Sequence, residues 1–121
     1  MRQINLLVIH CSATKENQPF TIQALENSHH KRGFNGIGYH YYIRQFGEVI
    51  NTRPLSRIGA HAKGYNRNSI GICYEGGLDK DGKPKDTRTP EQRVALRQLV
   101  DELRHVSPDA KSVGIVTLVP T

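Results

Sequence analysis

Cysteine is scarce in this chain: Cys11 and Cys73 are the two among 121 residues. They allow one disulfide at most, which excludes a disulfide-framework scaffold, and a chain without an export leader is expected to keep them reduced. Long apolar runs are missing as well, so no segment reads as a bilayer-spanning helix. The opening Met1-Arg2-Gln3 leads into Ile4-Asn5-Leu6-Leu7-Val8-Ile9, which is too short and too strand-like for a secretory signal. The protein is therefore expected to be soluble and cytoplasmic as synthesised. Acidic residues are the minority, 11 Asp and Glu against 17 Lys and Arg, and the net charge of +6 favours anionic partners. There is no long basic run, no aromatic-basic repeat and no zinc-finger spacing, so nucleic acid is not the expected partner. Internal repeats and low-complexity segments are absent.

What is present fits one compact domain over residues 1–121, with 36% hydrophobic residues and a small core. The order of patterns is strand, helix, hairpin, loop, strand, loop, helix, strand, which predicts an α/β fold layered around one sheet. Ile4 to His10 reads as a central strand covered on both faces. Thr21 is a helix cap for a segment from Ile22 to about Arg32, closed by Gly33. Tyr39 to Ile43 and Glu48 to Asn51 read as strands joined at Phe46-Gly47, where glycine supplies positive φ. A loop from Arg53 to Asn68 precedes a strand over Ser69 to Tyr74. The stretch from Glu75 to Arg88 is turn-rich, and its Asp79-Lys80-Asp81-Gly82 lacks the rest of a calcium-binding loop. Thr89-Pro90-Glu91-Gln92 is a capping box that starts a helix burying Leu96, Leu99, Val100 and Leu103. Ser107-Pro108-Asp109 ends it, and Val113 to Val119 reads as a last strand.

His10 stands at the C-terminal end of a buried strand and is followed by Cys11-Ser12-Ala13-Thr14, a placement suited to a metal ligand or a base. Taken alone it fits a hydrogen-bonded core histidine better, because a zinc site needs several ligands. The ordered set of segments changes that balance. Ile9-His10-Cys11-Ser12-Ala13-Thr14, His29 before Gly33-Phe34, Gly38-Tyr39-His40-Tyr41, Gly59-Ala60-His61-Ala62-Lys63-Gly64-Tyr65-Asn66, Asn68-Ser69-Ile70-Gly71-Ile72-Cys73 and Thr89-Pro90-Glu91-Gln92 together resemble the zinc-dependent N-acetylmuramoyl-L-alanine amidases. That family includes phage amidase-type lysozymes and the animal peptidoglycan-recognition proteins. The likeness covers residues 4 to 114.

The resemblance implies a mixed sheet flanked by helices and peptidoglycan, or a muropeptide derived from it, as partner. It implies a zinc-bound water attacking the amide between the lactyl group of muramic acid and L-alanine, with the bacterial cell wall as the site of action. By position, His10 is the first zinc ligand, Tyr39 the tyrosine that assists the tetrahedral intermediate, and His61 the histidine of the substrate groove. Arg53, Arg57, Lys63 and Arg67 are candidates for the carboxylates of a stem peptide. His29 and His40 are set aside, the first as a helix-orienting residue and the second as pointing away from Tyr39 by strand alternation. Cys11 and Cys73 read as buried small apolar residues.

The family pattern departs after Gly114. Ile115 stands where the resemblance implies a second zinc-ligating histidine, so the chain reads as lacking the usual C-terminal segment and Zn2+ binding is in doubt. One encoding of a family-like His-Arg-Asp-Leu-Ser-Pro-Asp stretch, read one nucleotide out of frame, translates as Ile-Val-Thr-Leu-Val-Pro-Thr, the tail of this chain. A truncated or frame-shifted end is thus the expectation, with an uncovered apolar face there available to a second copy. A peptidoglycan-binding module without catalysis is the alternative to an amidase, and a basic nucleic-acid-binding protein a distant third.

Overall fold

In the computed structural model the described residues are 2–114. The element order is β1 (Leu6–Cys11), β2 (Thr14–Lys15), α1 (Ile22–Lys31), β3 (Tyr41–Ile43), β4 (Val49–Asn51), a short 3-10 turn (Asn66–Asn68), β5 (Ser69–Tyr74), β6 (Gly77–Leu78), α2 (Pro90–Val106) and β7 (Lys111–Gly114). The main sheet has the order β4-β3-β5-β1-β7. It is mixed: β1 runs parallel to β5 and β7, β3 runs parallel to β5, and β4 returns antiparallel to β3. The expected α/β architecture, a mixed sheet with helices, is what forms.

Strand alternation assigns the two faces. Leu7 of β1, Ile70 and Ile72 of β5 and Ile43 of β3 pack against Ala95, Leu96, Leu99 and Leu103 of α2. On the other face, Tyr42 of β3 and Cys73 of β5 pack with Leu25 of α1, Ile37 and Tyr39. Because β1 is paired on both edges and covered on both faces, its sequence is nearly all apolar until His10.

Local chemistry starts and stops the helices as expected. The Thr21 hydroxyl accepts the Ala24 N–H at 3.1 Å to begin α1. Thr89 and Gln92 form the reciprocal capping box of α2, with Pro90 at its first turn and Ser107 as C-cap. The hairpin turn places Gly47 at φ 94°, where a side chain would be strained.

The structure differs from the sequence expectation in three places. The third strand begins at Tyr41 instead of Tyr39, because the Gly71 N–H is given to the His40 ring at 3.0 Å and the regular ladder stops there. The polar stretch after β5 contains a short strand, β6, paired with β2 in a separate two-stranded parallel sheet; two-residue strands carry no periodicity to read. The last strand starts at Lys111, two residues before the expected Val113, and the expected span 115–119 lies outside the described residues.

Glu75, buried just after β5, joins these layers. Its carboxylate accepts the Arg44 Nε–H at 2.7 Å, the Phe20 N–H at 2.6 Å and the Gln45 N–H at 2.9 Å. Its backbone N–H donates to Ile43 O, and its carbonyl accepts from Gln92 Nε2. Its side chain thus fixes the lead into α1 and the β3–β4 hairpin against the sheet, and its backbone carbonyl holds the start of α2.

Candidate active site

The C-terminal end of β1 delivers His10 to the α1 face of the sheet, in register with Cys73 of β5. Tyr39, from the segment before β3, sets its ring 5.1 Å from that of His10. His61 comes from the long loop before β5, and its ring stands edge-on to His10 at 5.0 Å. The two rings are in hydrogen-bond contact, His10 Nε2 to His61 Nδ1 at 2.9 Å. The structure therefore brings together three of the residues singled out from sequence, drawn from segments up to 51 positions apart.

His29 and His40, set aside from sequence, also reach this cluster. His29 Nδ1 accepts the Gly38 N–H at 2.9 Å, and its ring lies 5.4 Å from that of Tyr39, so it ties the Tyr39 segment to α1. The His40 ring is 6.0 Å from that of His61. Residues 39 and 40 precede the regular strand, so alternation does not separate them as expected: the Tyr39 ring is also within 6.4 Å of His61. His40 Nδ1 accepts the Gly71 N–H, and its Nε2 lies 2.8 Å from Arg57 O and 2.9 Å from Arg2 Nη2. A signal for this crowding exists in the sequence. Ser69 and Gly71 are small residues two apart in an otherwise apolar strand, the mark of a face that something approaches closely.

Burial sets the charge state. Desolvation lowers His10 to about 4, His29 to about 4, His40 to about 4 and His61 to about 3, with neighbouring cations adding to the effect at His61. All four imidazoles are neutral at pH 7. Desolvation, with Cys73 and Cys11 close by, pushes the Tyr39 phenol well above its usual range, so it remains a proton donor. Its hydroxyl is buried, has no oxygen or nitrogen partner among the described residues, and interacts only weakly with the Cys73 thiol.

These shifts predict a pH dependence. A histidine lowered in the folded state takes up its proton on unfolding, so the stability it contributes is complete above its free value of 6.5 and is lost as pH falls toward about 4. Each group adds a slope of up to about 1.4 kcal/mol per pH unit inside that window. Urea midpoints are expected to fall steeply from pH 6.5 to pH 4.5. Midpoints that stay level over that range would show that the cluster is already protonated in the fold.

Basic residues rim the site. Arg53 Nη1 donates to Ile37 O at 2.9 Å, while its Nε is buried without a partner among the described residues. Burial and the charge of Arg57 lower Arg53, and its field in turn bears on His29, His40 and His61. Arg2 is bonded to the carbonyls of Leu55 and Ser69. Among the described residues none of Arg2, Arg53, Arg57, Lys63 and Arg67 is in an ion pair, so the charges of Arg2 and Arg53 beside the histidines are uncompensated. Lys63 and Arg67 are exposed.

Zinc takes three protein ligands at a catalytic site. Among the described residues no group of three His, Cys, Asp or Glu side chains is placed to hold a metal. Cys11 and Cys73 are buried thiols, and burial raises both, which disfavours the thiolate that binds metal. The described residues therefore do not by themselves make a zinc site, and Ile115 lies outside them.

Comparison with known proteins places this arrangement. The family profile described as N-acetylmuramoyl-L-alanine amidase matches residues 1–117. An endolysin of Enterobacteria phage K11 is 40% identical over 102 residues, covering 84% of this chain and 68% of the phage protein. The solved N-acetylmuramoyl-L-alanine amidase LysC from Clostridium intestinale URNW superposes with a TM-score of 0.80 at 31% identity, covering 93% of this chain and 70% of that one. A variant of Drosophila PGRP-LB in complex with tracheal cytotoxin shares the fold, with a TM-score of 0.78 at 22% identity over 94% of this chain and 70% of that one. With the profile spanning nearly the whole sequence and the same layers around the same sheet, the chain belongs to the N-acetylmuramoyl-L-alanine amidase family.

Proposed function

We propose that this chain acts on bacterial peptidoglycan as an amidase, at the bond between the lactyl group of muramic acid and L-alanine. The observation that carries the reading is the meeting of His10, Tyr39 and His61 at the end of β1, in a chain of this family. Tyr39, a protonated phenol, is the donor to the oxyanion that forms on the lactyl carbonyl. His10 presents a neutral imidazole to the reacting centre, and His61 buttresses it. Arg53, beside the histidines and without an ion-pair partner among the described residues, and Lys63, exposed on the loop that carries His61, meet carboxylates of the stem peptide. Hydrolysis adds the oxygen of water to the lactyl carbonyl and returns a proton to the L-alanine nitrogen. Zinc belongs to the family's chemistry, and no step is assigned to it here because the described residues lack its ligand set.

A second reading, retention of muropeptide without cleavage, has its own support in that missing ligand set and in the burial of the Tyr39 hydroxyl. One experiment separates the two. Purified protein, with its zinc content measured by elemental analysis, is incubated with purified peptidoglycan. New L-alanine amino termini together with intact glycan are the expected result. Sedimentation of the protein with peptidoglycan and no new amines would establish binding alone, and a protein that neither cleaves nor sediments with peptidoglycan would overturn both readings. No helix among the described residues is long and apolar enough to cross a membrane.

A further inference from the structure

Two polar contacts run in series through the buried site. His10 Nε2 lies 2.9 Å from His61 Nδ1, and His61 Nε2 lies 3.1 Å from Ser69 Oγ. All three side chains are buried, so water does not substitute for either partner. A nitrogen-to-nitrogen contact of that length holds one proton: two lone pairs would repel, and two N–H groups would clash. A neutral imidazole carries a single N–H, so the tautomers of the two rings are tied together. If His61 Nδ1 accepts, then His10 holds its proton on Nε2, and His61 holds its own on Nε2 and donates to Ser69. His10 Nδ1 is then a bare lone pair. If the direction is reversed, Ser69 donates to His61, His61 donates to His10, and a neutral His10 has no lone pair left to offer.

The ring of His61 is held so that it cannot turn away from this series. A Cβ at Gly71 would stand 2.6 Å from the ring and one at Gly59 would stand 2.7 Å from it, so both positions admit only glycine beside this ring. Asn66 Oδ1 accepts the backbone N–H of His61 and of Ala62, each at 2.9 Å, which fixes the loop that carries the ring.

We propose that Ser69 is a positioning residue for the site: by accepting from His61 Nε2, it keeps the proton of His10 on Nε2 and leaves His10 Nδ1 as a free lone pair. The inference rests on the reading of His10 as the working histidine, because only this direction leaves His10 a lone pair. Ser69 acts through His61 and touches neither substrate nor His10.

Long-range proton–nitrogen correlation NMR of the imidazole rings, on the full chain at neutral pH without peptidoglycan, reads the tautomers directly. The expected result is protonated Nε2 on both His10 and His61. Ser69→Ala is expected to spread both rings over the two tautomers, and Ser69→Thr, which keeps the hydroxyl, to restore the single form. A His61 protonated on Nδ1 in the unmodified chain would overturn the proposal, as would a Ser69→Ala spectrum unchanged at both rings. Should Ser69→Ala fail to fold, the spectrum of the unmodified chain still decides the direction. Peptidoglycan cleavage is measured separately: expected tautomers without cleavage or retention would sink the functional reading and leave this relay standing.

Discussion

Tyr39→Phe is expected to lower amide cleavage by about 100- to 1,000-fold, the loss typical of removing one oxyanion donor, while leaving the fold as stable as before or more so. The two effects have opposite signs for one reason. The Tyr39 hydroxyl is buried with no oxygen or nitrogen partner among the described residues and only the Cys73 thiol, a weak acceptor, to interact with, so the folded protein bears most of the desolvation of a polar group without recovering a full bond for it. Such a group costs about 1–3 kcal/mol, and phenylalanine fills the same space without it. The ring itself is retained, with its contacts to His10, His29 and His61 and its place in the α1-side core. A group kept at the expense of stability is expected to have work elsewhere. Urea unfolding and peptidoglycan cleavage measured on the same preparation test both halves. Destabilisation by more than about 1 kcal/mol would show that the hydroxyl is bonded in the fold, and cleavage as fast as that of the unmodified chain would remove Tyr39 from the assigned role.

Glu75→Ala is expected to destabilise the fold by about 3–5 kcal/mol, the usual cost of leaving a buried ion-pair partner alone. The substitution strands the Arg44 guanidinium and the N–H groups of Phe20 and Gln45 together. Domains of this size are stable by only about 5–15 kcal/mol, so the variant sits near the folding threshold. Glu75→Gln, which keeps an acceptor oxygen but loses the charge, is expected to fall between the two. Denaturant midpoints of the three proteins are the measurement. Equal midpoints would show that Glu75 does not join the layers. The site is expected to suffer with the fold, because Glu75 holds the C-terminal ends of β3 and β5 beside that of β1, where His10 projects.

The helix boundaries were readable because their causes are local. Thr21, Thr89, Pro90 and Gln92 act on backbone groups within a few residues of themselves, so the residue types alone specify where each helix begins. The central strand was readable too, since burial on both faces writes itself as an apolar run. The short β2–β6 pairing was not, because two residues on each side leave no pattern. His10, Tyr39 and His61 were found through resemblance, with the chemistry of each residue type in agreement. Lys63, taken from the same motif as His61, is exposed in the structure with no described contact that ties it to the cluster.

The sequence by itself determined the α/β class, the helix caps and the family, because those follow from periodicity, short-range hydrogen bonding and an ordered set of motifs. Tertiary structure alone decided the charge and connectivity of the site. Four histidines are neutral because folding removes water from all of them at once, and desolvation belongs to no single segment. Ser69 faces His61 across eight positions, and His61 faces His10 across 51, contacts that depend on where the loop from Arg53 to Asn68 lies over the sheet. Glu75 reads in the sequence as one acid in a polar stretch. It becomes a buried junction only when β5 lies beside β3 and α2 closes over both. Interactions between neighbours in the chain are legible from residue types, whereas those between distant segments exist only once the chain has closed, so the chemistry of this site is a property of its packing.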